Sequence, residues 1–461
     1  MDLSRHLPSV GIIYIYIYIK QKTVLHFSGE IQPVGVQDPM KFRYMKLCRW
    51  SLSVLAAWPK RELGEAQSKY NTLQITALFL HALFCLIGII FYVKNHAKTS
   101  TFYNIGHMYI TIFMNIVAMS RLIMTWFKKY RVVSTVFMKK IHLIYHKDKS
   151  PYAMETHILV HKRCHFFTMY LHFMTAMGIL LFNLTPLYKN YRAGLFSDEP
   201  PANVSFEHSV YYHLPFDCYT DRKGYLIVFA FNWITSYICS ACFCTFDLYL
   251  SLLVFHMWGH LRILKHNFES FPRPNALFGT PKWKGQVSRY QRANEPETIE
   301  MFSPNEMTRV VKLMEEYIEH HKLILDFNRS MSEIFGPIIF IYYMFHQISG
   351  CLLLLLVSQL DSDALAQYGP LTIIIFQQLI QLSIVFELVG SMSERLIPAV
   401  YDVPWECMDA RGRKIVAVML MKVQLPIHLK ALGMADVGVK TMASILKASF
   451  SYFTFLRSAS E

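Results

Sequence analysis

The fold class this sequence predicts is an all-α membrane protein with seven transmembrane helices. Three observations predict it. The chain of 461 residues is 53% hydrophobic and only 17% charged, where a soluble domain carries about 25% charge. Seven apolar runs follow one another at 73–93, 105–127, 166–187, 225–255, 334–357, 371–389 and 437–456. All but the longer run at 225–255 are near the roughly 20 residues that a helix rising 1.5 Å per residue needs to cross a bilayer core. Third, Lys and Arg crowd into every second connection. The net charge of +14 would suit nucleic acid if it formed one patch. It is instead dispersed between apolar runs, which points to membrane lipid as the surrounding partner and to no nucleic acid.

Residues 1–39 stand apart. Positions 11–19 read GIIYIYIYI, a strand-like alternation. A basic start and a short apolar run suit a signal peptide, but no small-residue cleavage site follows. The stretch reads as an N-terminal extension, either not native or unstructured, with Met40 as the alternative start. Residues 40–72 form a basic segment before the first span, and 73–255 hold spans one to four. Residues 256–333 divide into a linker at 271–298, rich in Pro, Gly and charge, and a helix. That helix opens at Ser303-Pro304-Asn305-Glu306, a hydroxyl cap with Pro in the first turn and Glu three residues on. Met307, Val310, Met314, Ile318 and His321 then mark one face that must pack against other helices. Spans five and six occupy 334–391. Residues 392–461 read as a broken seventh helix. Its first half, at 415–432, carries Lys422 and Pro426, and the spanning half follows at 437–456.

The charge bias sets the orientation. The segment before span one holds Lys41, Arg43, Lys46 and Arg49. The connection after span two holds Lys128, Lys129, Arg131, Lys139 and Lys140, and the one after span four holds Arg262, Lys265, Arg273 and Lys282. The alternate connections are poor in both residues. The N-terminus is therefore expected in the cytoplasm and, after seven spans, the C-terminus outside. The connection after span three is acidic and carries Asn203-Val204-Ser205, a glycosylation acceptor on the expected outer side.

Several constellations invite sharper readings. Glu315, Glu316, Glu319, His320 and His321 resemble a metal cluster, but at this spacing they read as a solvated or subunit-contacting helix face. Cys239, Cys242 and Cys244 lie inside an apolar run with no partner cluster, so they read as packing thiols. Arg121, Asp247 and Glu387 are charges at membrane depth, which are costly and must pair, face water or snorkel. No Ser/His/Asp grouping, phosphate loop, HExxH or dinucleotide glycine pattern occurs, so enzymatic activity, a cofactor and a bound metal have no support in the sequence. In the last run Ser444, Ala448, Ser451 and Phe455 recur at three- and four-residue steps on one helix face. Small and hydroxyl residues on such a face mean either close helix packing or a water-filled path.

The tail SILKASFSYFTFLRS, with PWE at 404–406 and MKVQLP at 421–426, resembles the C-terminal signature of insect odorant receptors. Glu387, Ser393, Glu394, Ala399, Tyr401 and Trp405 fit the same spaced pattern. The resemblance is strong over 386–458 and weaker from Met40 onward. It implies a subunit of an odorant-gated, non-selective cation channel in the plasma membrane of an olfactory sensory neuron dendrite. This subunit would assemble with the shared co-receptor as a hetero-tetramer, the cytoplasmic anchor helices holding the subunits together and the last helix lining the pore. It places Phe455 at the hydrophobic gate, with Ser451 one turn away, where an aliphatic residue is more usual. It implies a pocket for a volatile odorant in the outer halves of spans two, three, four and six. Here those halves contribute Thr111, Met114, Met174, Met177, Phe229, Trp233, Tyr237 and Phe376. A Met- and aromatic-rich set suits an apolar ligand, because Met adapts its shape and rings supply area. The co-receptor itself ends differently. A gustatory-type channel is the nearest alternative, but its Thr-Tyr…Gln-Phe tail is absent. A metabotropic seven-helix receptor would need the opposite orientation, and a transporter an internal repeat that is not visible.

Overall fold

The computed structural model describes residues 37–66, 69–98, 102–197, 201, 204–274, 301–358 and 362–460. Most of 1–39, most of the 271–298 linker and Asn203 lie outside these. The helices are α1 Arg43–Val54, α2 Asn71–His96, α3 Phe102–Met124, α4 Lys128–Val136, α5 Pro151–Arg192, α6 Arg222–Glu269, α7 Pro304–Val357, α8 Ser362–Glu394, α9 Leu396–Tyr401, α10 Ala410–Val423 and α11 Val439–Ser460. Six of them, α2, α3 and α5 to α8, are long and apolar enough to cross a membrane. α11 is a seventh helix of 22 residues whose Lys440, Lys447 and Arg457 lower its hydropathy. The end of the bundle that carries α1 is here called the near end.

Local chemistry explains the helix starts. Ser150 Oγ accepts from the Ala153 amide at 3.0 Å, and Pro151 occupies the first turn of α5 where its missing N–H costs nothing. The expected start of α7 is a full capping box: Ser303 Oγ accepts from Glu306 N, and Glu306 Oε2 accepts from Ser303 N at 2.8 Å.

Two elements differ from their sequence-based outlines. The runs at 166–187, 225–255 and 334–357 sit inside helices of 42, 48 and 54 residues. A bilayer core needs only about 20. The excess lies at the near end, where the helices continue into a packed layer. There Met307, Val310, Met314 and His321 of α7 are buried, as are Leu261, Leu264 and Phe268 of α6. The apolar stripe on 303–321 and span five are thus one continuous helix, running through Pro337.

The half-helix outlined at 415–432 is α10, ending at Val423, followed by a hairpin in which Lys430 pairs with Asp436 and Ala431 with Ala435. Pro426 has no amide to continue the helix and biases Leu425 away from helical geometry. Leu432 and Gly433 close the turn with φ of 50° and 73°. The hairpin docks on α7, where Asn328 Nδ2 donates to His428 O at 3.1 Å. Gly336 permits this, since a Cβ there would stand 2.6 Å from Lys430 O.

The near-end layer gathers α1, α4 and the near ends of α5, α6 and α7. Phe42, Tyr44 and Phe137 are fully buried within it, each contributing about 2–3 kcal/mol by burial. At the far end, the connection from α5 to α6 folds back into the bundle. Val210 and Tyr212 are buried against Cys85, Ile89 and Met108. Asn232 Nδ2 holds Val210 O at 3.1 Å, and Asn190 holds Glu207 by both amide atoms at 2.9 Å.

Candidate functional site

A cavity of about 420 Å³ opens between α1, α5 and α6. Its walls are Trp50 and Ser51 of α1, Leu171, His172, Thr175, Ala176, Ile179 and Leu180 of α5, and Trp233, Tyr237, Ala241, Cys244, Thr245 and Leu248 of α6. The four-residue spacing of Phe229, Trp233 and Tyr237 puts an aromatic stripe on one face of α6. Phe229 stacks on Tyr225 with centroids 5.8 Å apart and meets Trp233 edge-on at 6.3 Å.

Of the eight residues named from the sequence, Trp233 and Tyr237 line this cavity and Phe229 extends their stripe. The other five lie elsewhere. Met177 is exposed on α5. Met174 shares the α5 face of Tyr170 and Gly178, which meets α8: Gln377 Nε2 donates to Tyr170 Oη at 2.7 Å, and a Cβ on Gly178 would sit 3.7 Å from Ile374. Phe376 lies on another side of α8, its ring 3.3 Å from where a Gly350 Cβ would stand. Thr111 Oγ1 donates to His107 O at 3.0 Å within α3, and Met114 packs against the main core.

Sequence reasoning missed His172, Thr175 and Ser51. The signal was available, because Thr168, His172 and Thr175 form a polar stripe at helical spacing inside an apolar run.

The charges at membrane depth pair as their cost demands. Arg121 Nη2 donates to Asp247 Oδ1 at 2.7 Å with both side chains buried. Arg121 also donates to the carbonyls of Cys242 and Phe243 and sits over the rings of Phe243 and Tyr342, while Tyr342 Oη donates to Asp247 Oδ2 at 3.2 Å. Glu387 Oε2 accepts from Val439 N at 3.0 Å, so it caps the first turn of α11. A negative charge there also suits the helix dipole.

α11 packs one face against α7, with Ile445 and Ser449 buried and Ser449 Oγ donating to Gln347 O at 3.4 Å. The opposite face, with Ser444, Ser451 and Phe455, is exposed. Phe455 is 66% exposed.

The near-end layer is rich in histidine. His142 Nδ1 accepts from Ile144 N at 3.2 Å, capping a short turn, and Tyr44 Oη bonds His142 Nε2 at 2.9 Å. Burial pushes the His142 pKa well below its ordinary value, and the neighbouring His157 and His161 push it further. Burial likewise lowers His146. Glu315, Glu316, Glu319, His320 and His321 do not converge on a metal-sized site: among the described residues no group of three or more His, Cys, Asp or Glu is placed to hold a metal. Cys239, Cys242 and Cys244 are free thiols.

The class defined by these features is a multi-pass helical membrane protein with an extended near-end layer and a last helix interrupted before its spanning half. Residues 101–450 match the family model described as 7tm Odorant receptor, and the chain belongs to that insect odorant receptor family. It is 30% identical over 165 residues to Odorant receptor 67a of Drosophila melanogaster, covering 34% of this chain and 38% of that protein. It is 24% identical over 152 residues to Odorant receptor 10 of Aedes albopictus, covering 32% of this chain and 39% of that one. These matches therefore span under half the length of either relative.

The fold matches the insect olfactory receptor OR5 from Machilis hrabei, with a TM-score of 0.71 over 90% of this chain and 97% of that chain at 12% identity. The same receptor in complex with eugenol matches with a TM-score of 0.67 over 90% and 99% at 14% identity.

Proposed function

We propose that this chain is the odorant-tuned subunit of a ligand-gated, non-selective cation channel. It acts with the family's shared co-receptor as a hetero-tetramer in the dendritic membrane of an olfactory sensory neuron. The observation that carries the reading is α11: a membrane-length helix, anchored on one face and capped by Glu387, that leaves Ser444, Ser451 and Phe455 on an exposed face. A helix of this kind fits a shared axis, where hydroxyls face water and an apolar ring closes the path by dewetting. The near end, with α1 and the basic connections, is cytoplasmic, and the C-terminus is extracellular. The near-end extensions of α6 and α7 with α10 hold the subunits together.

Odorant binding favours an arrangement in which the four last helices move apart. Recognition rests on shape and dispersion across Met and aromatic side chains, where one methylene changes discrimination by about 1–3 kcal/mol. Tuning is therefore broad and graded. Thr111, Met114, Met174, Met177 and Phe376 contribute from the α3, α5 and α8 side, and Phe229 from α6, at the end of the stripe that continues into Trp233 and Tyr237.

The test is whole-cell current from cells expressing the chain with and without the co-receptor, with odorants applied outside and G-protein signalling blocked. Fast cation current confined to co-expressing cells supports the reading. A response abolished by the block would overturn both class and orientation. Orientation has its own check: Asn203 should carry a glycan, read as a mobility shift on glycosidase treatment that Asn203→Gln removes.

A further inference from the structure

The cavity between α1, α5 and α6 is not the outer pocket implied by the family resemblance. It lies on the α1 side of α5, whereas Tyr170 and Gly178 turn the α8-facing side the other way. We propose that it is a separate, membrane-facing site for a small lipophile carrying a hydrogen-bond acceptor, of the ester, ketone or ether class. The proposal rests on the odorant-receptor reading for the source of that molecule, not for the cavity's capacity to hold it.

The volume of about 420 Å³ falls in the range of small-molecule sites, which are mostly apolar with a few placed polar groups. The polar groups here select an acceptor. His172 Nδ1 donates to Thr168 O at 2.8 Å, because a carbonyl can only accept. Ser51 Oγ lies 3.0 Å from His172 Nε2, so these two groups answer each other. Thr175 Oγ1 donates to Leu171 O at 2.7 Å, which uses its hydroxyl proton. The indole N–H groups of Trp50 and Trp233 and the phenol of Tyr237 have no hydrogen-bond partner among the described residues. Three free donors around an apolar space suit a carbonyl or ether oxygen, and a plain hydrocarbon chain would leave them unanswered.

The route in is lateral. Trp50 is 56% exposed, Leu180 41% and Tyr237 40%, and the helix surface beside them is apolar, with Leu181, Leu184 and Ile234 exposed. A lipophile concentrated in the bilayer reaches this opening without crossing water. The Ser51–His172 bond ties α1 to α5, and Tyr44 ties α1 to His142 in the near-end layer. A ligand that moves Trp50 or Ser51 therefore pulls on the layer assigned to subunit assembly.

The test uses the full chain in cell membranes and two photoactivatable probes, decyl acetate with a diazirine in its chain and the matching diazirine alkane. Crosslinked peptides are mapped by mass spectrometry. The expected result is ester-probe label in the segments 171–180 and 233–248, competed by unlabelled decyl acetate. Ala241→Trp, which fills the cavity, should remove the label at unchanged surface expression. Tyr237→Phe keeps the ring and should lower ester labelling about fivefold while leaving the alkane probe unchanged. Equal labelling by both probes, indifferent to Tyr237→Phe, would mean a groove for lipid acyl chains and overturn the proposal. Label spread over lipid-facing Leu80 and Phe84 would overturn it too. Intact, competable labelling without any evoked current would leave this site standing and count against the channel reading instead.

Discussion

Replacing Asp247 by Asn should destabilise the protein more than any other single isosteric change in the bundle. The carboxylate answers the Arg121 guanidinium at 2.7 Å, with both groups buried between α3 and α6 and Tyr342 Oη holding the second oxygen at 3.2 Å. Asn preserves shape and one acceptor but leaves a cation with no countercharge. Breaking a buried pair in this way costs about 3–5 kcal/mol. The two backbone carbonyls and two ring faces that Arg121 keeps favour the lower end, about 3 kcal/mol. For a chain of this size that is a fall of about 5 °C in the unfolding midpoint, measured on detergent-solubilised protein by the temperature at which the monodisperse peak is lost. The companion variant Arg121→Met with Asp247→Leu removes both charges and should recover most of the loss, since apolar replacement of a buried pair is often neutral. An unchanged midpoint for Asp247→Asn, or a double variant no better than the single one, would refute the account of a desolvated, mutually dependent pair.

Three further outcomes follow from other parts of the structure. Phe455→Ala should raise basal leak or alter cation selectivity in the co-expressed complex; unchanged current at normal surface expression would remove Phe455 from the gate. Gly336→Ala should dislodge the hairpin from α7, because its Cβ would meet Lys430 O at 2.6 Å, at a cost of about 1–3 kcal/mol seen as a lower unfolding midpoint. The near-end layer should weaken in acid. His142 and His146 have folded pKa values depressed below 6.5 by burial, so the unfolded chain binds the extra protons. The stability they confer is complete above 6.5 and declines as pH falls below it. A second proton on His142 would also cost the Nδ1 acceptor that caps Ile144. A midpoint flat from pH 7 to about 5 would contradict this.

The apolar runs, the capping box at Ser303 and the family signature in the tail were legible because each is local: a period, a cap or a short string. The cavity was not. His172 and Ser51 are 121 residues apart, and no pattern within either helix announces that α1 will close the groove between α5 and α6. That the outer-half set divides between this cavity and other helix faces was hidden for the same reason. Met174 and Trp233 each lie on an apolar helix, but a helix buried on several sides does not state in its sequence which neighbour each face will meet. Gly390 and His428 make the same point, since the close fit that sets a would-be Cβ 2.4 Å from the imidazole exists only once the hairpin has docked.

The sequence by itself determined that this chain is a helical membrane protein, because bilayer thickness acts on contiguous stretches, and its tail string carried the resemblance to the odorant receptors. It also determined that Arg121, Asp247 and Glu387 had to pair, face water or snorkel, because solvation cost belongs to the residue. Tertiary structure alone decided which partners. It set Arg121 on Asp247, spent Glu387 on the first turn of α11, merged the near-end stripe with span five into one helix, and left a cavity beside α1. These depend on how helices far apart in sequence rotate and cross, and that is fixed by side-chain packing over the whole bundle.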